Sequence, residues 1–256
     1  MTSQSNWIPV SGSGDLAAAS ARAVVLPDHD VVIWRTKTGA VHAWENRCPH
    51  RGMRMSFGQV RDEKLVCRYH GWGFDEEGQC QNIPASPNAA APPTACIKTW
   101  SCTEKDNLIW VDVSDESAGE GSAMSGDSDG VSSLMFCKSV YTDGDLDKVL
   151  ALVGSARFLP LGYDGDGRDL DWSMTDLPDL VGDAIQILVS GAGSDQIVIT
   201  GHQARDGRCG LHIMTPSTGD HDLDRQRRLH YSKWAKRLRW SLSNPDAAQD
   251  GFSVFS

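Results

Sequence analysis

Through residue 113, apolar and polar positions alternate in short runs broken by turn residues. The segments VVIWRT, AVHAW, KLVC, CIKTWSC and NLIWVDV, within residues 31–113, are rich in Val, Ile, Trp and Thr, and they predict β-strands. Thr36–Gly39 and Asp75–Gly78 each end on the glycine that a chain reversal favours.

The pattern stops at SDESAGEGSAMSGDSDGVSS, residues 114–133, which has almost no bulky apolar side chain. Such a stretch buries too little surface to offset the entropy of ordering it, so residues 114–134 are expected to be a flexible linker. It separates an all-β domain, 1–113, from a smaller α+β domain, 135–256. In the latter, DLDKVLALVGSARFL has helical spacing, while AIQILVSG, QIVITGHQA and CGLHIMTP read as strands. DHDLDRQRRLHYSKWAKRLRW reads as a basic amphipathic helix, with Leu229, Trp234 and Leu238 expected to face the core.

At 256 residues and 40% hydrophobic content the chain can bury a substantial core. A formal charge of -10 argues against nucleic acid as a partner, because a phosphate backbone recruits basic surfaces. No apolar run is long enough to cross a bilayer, and the amino terminus lacks a basic leader. The cysteine count is odd at seven, and Cys80, Cys96, Cys102, Cys137 and Cys209 show no regular disulfide spacing, which points to a reducing, cytoplasmic setting.

The other two cysteines sit in a distinctive pattern. Cys48-x-His50, sixteen intervening residues, then Cys67-x2-His70 supplies four metal-binding side chains, each half on a glycine-containing loop. Buried cysteines beside hydrogen-bonded histidines are one reading, and a structural zinc site is another. Zinc modules, however, usually pair Cys with Cys and His with His. Mixed pairs suit a cluster with two unlike irons, one held by Cys48 and Cys67 and the other by His50 and His70.

CPHRG together with CRYHGWGFDEEGQC resembles the cluster-binding signature of Rieske 2Fe-2S proteins, and the likeness covers about the first 113 residues. Met53 and Tyr69 stand where respiratory-type members carry a second cysteine pair, so that bridge cannot form. HGWGF, IPASP and the opening NWIPV resemble the Rieske non-haem iron oxygenases, including O- and N-demethylases. The resemblance implies a small antiparallel β domain, and after it a helix-grip (START-like) domain holding a mononuclear Fe(II) on two histidines and a carboxylate.

The second half departs from that implication. No histidine occurs from Gly71 to Gly201, and the segment where the family's ligand helix is expected reads GDLDKVLALVGSARFLPLG, with Arg157 and apolar residues in place of ligands. The second domain is therefore expected to be a truncated helix-grip domain. A two-residue hairpin turn at Asp206-Gly207 would pair His202 with Leu211 and put His212 on the opposite face, so one iron could not easily take both. His221 and His230 lie nine residues apart, off the spacing of a shared helical face. Asp250 stands roughly where the family places its carboxylate. No catalytic residue is identified.

The expected function is thus a Rieske 2Fe-2S electron-transfer protein or subunit. It would pass electrons from a reductase or ferredoxin to a mononuclear iron on a partner chain, an oxygenase subunit or another copy in a homo-oligomer. The alternative is a complete oxygenase with non-standard ligands drawn from His202, His212, His221 and Asp250. A third possibility is a regulatory subunit whose cluster senses redox state.

Overall fold

The computed structural model describes residues 7–114, 133–147, 149, 159–163, 173–176, 184–190 and 196–244, with backbone alone for 173–176 and 184–190. The chain divides into two compact units, one formed by Met1–Lys105 with Ile109–Ala123 and the other by the remainder.

The amino-terminal unit contains strands β1 (Trp7–Gly12), β2 (Ser20–Val25), β3 (Asp30–Arg35), β4 (Val41–Glu45), β5 (Gln59–Arg61), β6 (Lys64–Val66), β7 (Gly73–Phe74), β8 (Cys80–Asn82), β9 (Thr99–Lys105) and β10 (Leu108–Asp112). Six form a sheet in the order β1-β10-β9-β4-β3-β2, and the other four form a sheet in the order β5-β6-β7-β8. The unbroken apolar run in β3 follows from burial on both faces. Val31 and Ile33 enter a core with Ile8, Val10 and Ile109, while Val32 and Trp34 enter a second core that contains Cys48 and Cys67. In β4, Ala43 and Trp44 divide between the same two cores. The strand expected from Cys96 begins instead at Thr99, and Cys96 makes one isolated bridge to Gln79. Both anticipated turns form, with Gly39 and Gly78 at φ 112° and 76°.

The carboxy-terminal unit is an antiparallel sheet of β11 (Leu134–Asp143), β12 (Ser173–Asp176), β13 (Ala184–Ser190), β14 (Gln196–Ala204) and β15 (Arg208–Pro216), in the order β11-β15-β14-β13-β12. Helix α1 (His221–Ser243) follows. Asp220 caps it by accepting hydrogen bonds from the Asp222 and Leu223 amides. Its buried stripe of Tyr231, Trp234, Ala235 and Leu238 packs on Ile197, Ile199, Cys209, Leu211 and Ile213. Leu229 corrects the sequence reading: it is 53% exposed. Five residues before Trp234 is about 140° around the helix, which turns Leu229 away from the stripe.

Within 145–159, Leu146, Asp147 and Val149 are helical, and Arg157 with most of that segment lies outside the described residues. Asp250 and nearly all of the expected linker, 115–132, also lie outside them. Among the described residues, no helix is long and apolar enough to cross a membrane.

Candidate metal centre

Two loops with the same backbone path carry the four expected ligands. In the first, between β4 and β5, the Cys48 amide donates to the Met53 carbonyl at 2.8 Å and the Gly52 amide to the Cys48 carbonyl at 2.8 Å. In the second, between β6 and β7, the Cys67 amide donates to Trp72 at 2.8 Å and the Gly71 amide to Cys67 at 3.0 Å. Gly52 and Gly71 both have φ 72°, in the left-handed region where glycine escapes the Cβ penalty. A Cβ on Gly71 would also lie 2.9 Å from Pro84 Cγ, so the IPASP segment packs directly on the second loop. Histidine breaks the correspondence: His50 is the third residue of its loop and His70 the fourth.

The cysteines lie inside and the histidines toward the surface. Cys48 and Cys67 are each 2% exposed, and their thiols are hydrogen-bonding neighbours. Burial pushes the Cys48 thiol up to about 11, although the His50 and Arg51 amides pull the other way and the neighbouring Cys67 adds to the rise. A thiol held there stays protonated at neutral pH, so a metal taken up through its sulfur would have to displace the proton. The His50 and His70 rings lie 4.5 Å apart between centroids. Desolvation, then His70 and Arg51, hold His50 below the usual imidazole range, which favours the neutral form a metal requires. His50 Nδ1 is buried with no hydrogen-bond partner. An imidazole nitrogen left without a hydrogen bond is open to serve as a metal ligand.

Sequence reasoning missed what holds the first loop. Asn46 is 2% exposed; its Nδ2 donates to Asp30 Oδ1 at 2.9 Å and its Oδ1 accepts from the Ser56 amide at 2.8 Å. Arg54 Nη2 donates to the same Asp30 oxygen at 2.8 Å. These bonds tie both ends of the loop to β3. The available signal was an asparagine opening a turn beside an apolar strand.

Residues 6–101 match the family model for the Rieske [2Fe-2S] domain. The amino-terminal unit is a Rieske domain. Its cofactor is a 2Fe-2S cluster, and the donor set of two thiols and two imidazoles suits it. Among curated proteins the chain is 29% identical to oxidoreductase NdmD of Pseudomonas putida over 225 residues, covering 86% of this chain and 37% of that one. It is 42% identical to methylxanthine N1-demethylase NdmA of the same organism over 69 residues, covering 27% of this chain and 20% of NdmA. The chain therefore spans little more than a third of NdmD, and less of NdmA. Among solved structures, dicamba monooxygenase superposes with a TM-score of 0.64 at 18% identity, covering 99% of this chain and 91% of that one. At that identity the likeness speaks for the fold alone. The names of these relatives are those of an oxidoreductase, a demethylase and a monooxygenase, in line with the resemblance carried by the motif.

Outside the Rieske domain, the structure corrects the expectation for His202 and His212. Residues Arg205–Gly207 form a three-residue 3-10 turn, with Asp206 at φ 64° and Gly207 at φ 66°. The extra residue moves the register by one, so His202 pairs with Gly210 and His212 with Thr200. Both imidazoles then point to one face. His212 Nε2 lies 3.4 Å from His202 Nδ1, their rings are 18° from parallel, and both residues are 0% exposed. Ser139 Oγ lies 2.8 Å from His212 Nδ1, and Tyr141 meets both rings edge-on. The pair therefore faces away from the Leu211 and Ile213 side that receives α1. His230 has a hydrogen-bonding role, donating from Nε2 to the Leu159 carbonyl at 2.6 Å, and His221 is exposed at the start of α1.

Proposed function

We propose that this chain is a one-electron carrier of a Rieske oxygenase system, with Cys48, Cys67, His50 and His70 as the cluster ligands. The observation that carries the assignment is the arrangement of the four in two pairs, thiols inside and imidazoles outside, with His50 Nδ1 buried and unpartnered. The mixed Cys/His composition of each sequence pair argues against a zinc module, which usually pairs like with like, and for a group with two unlike metal atoms.

When bound, the 2Fe-2S group supplies one-electron exchange, and imidazole ligation raises its potential above that of all-thiolate clusters. The chain's own residues position and shield it. Cys48 and Cys67 lie in the core with Trp34, Trp44, Met55 and Phe74, which keeps water from the sulfur end. His70 is exposed and offers the route for electrons to a partner.

In this reading a reductase or ferredoxin supplies electrons, and a mononuclear iron on an oxygenase subunit or another copy of the chain receives them. The carboxy-terminal unit, residues 135–256 beyond a linker at 114–134, serves as a reduced helix-grip scaffold. An antiparallel sheet with a long terminal helix on one face supports that assignment. Seven unpaired thiols suit a reducing, cytoplasmic location. The test is iron and acid-labile sulfide per chain in anaerobically purified protein, with its electron-spin-resonance spectrum. Two of each and a Rieske spectrum, both lost in Cys67→Ser, are expected; a single zinc with no sulfide would overturn the assignment.

One observation favours a second reading, a complete oxygenase. His202 and His212 share a face, with nitrogens 3.4 Å apart, so one iron could take both after small ring rotations. A third iron per chain, absent from the His202→Ala/His212→Ala double variant, would establish it and displace the pure carrier.

A further inference from the structure

Helix α1 concentrates positive charge in an acidic protein. Arg225, Arg227, Arg228, Lys233, Lys236, Arg237 and Arg239 outnumber Asp222 and Asp224, giving the helix +5 while the whole chain is -10, so the remainder carries -15. Beyond Asp224 the helix has no carboxylate.

The charge is also sorted by face. Arg227 and Asp224 are turned inward and bonded to the turn before the helix, through the Pro216 carbonyl and through Ser217 and Thr218. Opposite the buried stripe, Leu229, Lys233, Lys236 and Trp240 follow one another at helical intervals, flanked by Arg225, and all five are exposed. Leu229 is 53% and Trp240 58% exposed, among the most exposed large apolar side chains described. The outward face therefore offers two apolar anchors set in cations. Tryptophan and arginine are also the residues that most often dominate binding energy at protein interfaces.

We propose that this outward face of α1 docks a protein partner with a carboxylate-rich surface. Symmetric pairing of two copies through the face would set +5 against +5, so a twofold dimer does not cover it. A lipid surface fits less well. The anchors lie about 16 Å apart along the axis with lysines between them, so they form no continuous apolar strip to insert. The rest of the chain sums to -15, so α1 is where an acidic chain offers a long, net positive helix to a carboxylate-rich partner. The electron donor is the partner class this fits, a naming that rests on the carrier reading; the surface chemistry does not.

The test uses the full-length, cluster-loaded chain and a plant-type 2Fe-2S ferredoxin, a strongly acidic protein, as probe. Binding is measured by calorimetry at about 20 and 300 mM salt for the native chain, for Lys233→Glu/Lys236→Glu, and for Leu229→Ala/Trp240→Ala. Unchanged helix content and visible spectrum show that each variant folds. The expected result is binding to the native chain that weakens at least tenfold in high salt, with a loss of similar size in the charge-reversed variant. Trimming the anchors should weaken binding while leaving the salt dependence in place. No binding at low salt, equal affinity of all three proteins, capture by vesicles of 30% phosphatidylserine in place of ferredoxin, or self-association lost on charge reversal would each overturn the proposal. Failure of the chain to assemble any 2Fe-2S cluster, with salt-sensitive ferredoxin binding still lost on charge reversal, would sink the carrier reading and leave the docking face standing.

Discussion

The rings of His50 and Trp72 stack with centroids 4.4 Å apart and planes within 4° of parallel. Trp72 follows the second cysteine loop, so its ring fixes a histidine of the first. Replacing it with alanine is expected to loosen cluster binding roughly 10–100-fold, as the loss of an orienting neighbour does at other metal sites. Phenylalanine should preserve most of the stacking. Iron retained after timed exposure to a chelator, compared for the two variants, checks this.

Thiol titration gives a pH dependence for the metal-free protein. The Cys48 thiol is held up at about 11 in the folded chain against an ordinary value of 9.0, so the folded state keeps its proton longer than the unfolded one. The associated stability is complete below pH 9 and is lost as pH rises toward 11. Melting temperature of the metal-free chain should fall across that window more steeply than that of Cys48→Ser.

Gly210 lies directly beneath the buried His202 ring. A Cβ there would lie 2.5 Å from His202 Cε1 and 2.8 Å from Tyr141 Cε1. Gly210→Ala is expected to cost about 1–3 kcal/mol by overpacking. In a His202→Ala background the same change should cost clearly less, because the ring it strikes is gone. Chemical denaturation of the four proteins in this cycle measures the coupling.

The turn before α1 is an acid-sensitive joint. Hydrogen bonds from Ser217 and Thr218 hold the Asp224 carboxyl down at about 2, against 3.8 ordinarily. Its contribution is complete above pH 4 and is lost as pH falls toward 2. Asp224→Asn should flatten melting temperature against pH in that window. Asp220→Ala, which removes the cap, should cost about 1 kcal/mol near neutral pH.

Much of this was legible in the chain itself. The interval from Cys48 to His70, with a glycine one or two residues after each histidine, names the chemistry because few groups want mixed thiol and imidazole pairs. Val31 to Trp34 announced a strand, and only the fold showed that both of its faces are buried. Leu229 was misjudged because a helical periodicity in basic sequence leaves the boundary of the buried stripe to whatever packs against it. The network of Asp30, Asn46 and Arg54 was invisible because its members meet through folding across 24 residues.

The contrast is sharpest between the two histidine sites. Local sequence determined the cluster loops, since each is a closed turn of about five residues whose shape depends on its own glycine and backbone hydrogen bonds. The faces of His202 and His212 were decided only by the tertiary structure. Strand side chains alternate with period two, so the one extra residue in the Arg205–Gly207 turn carried both rings to the same side.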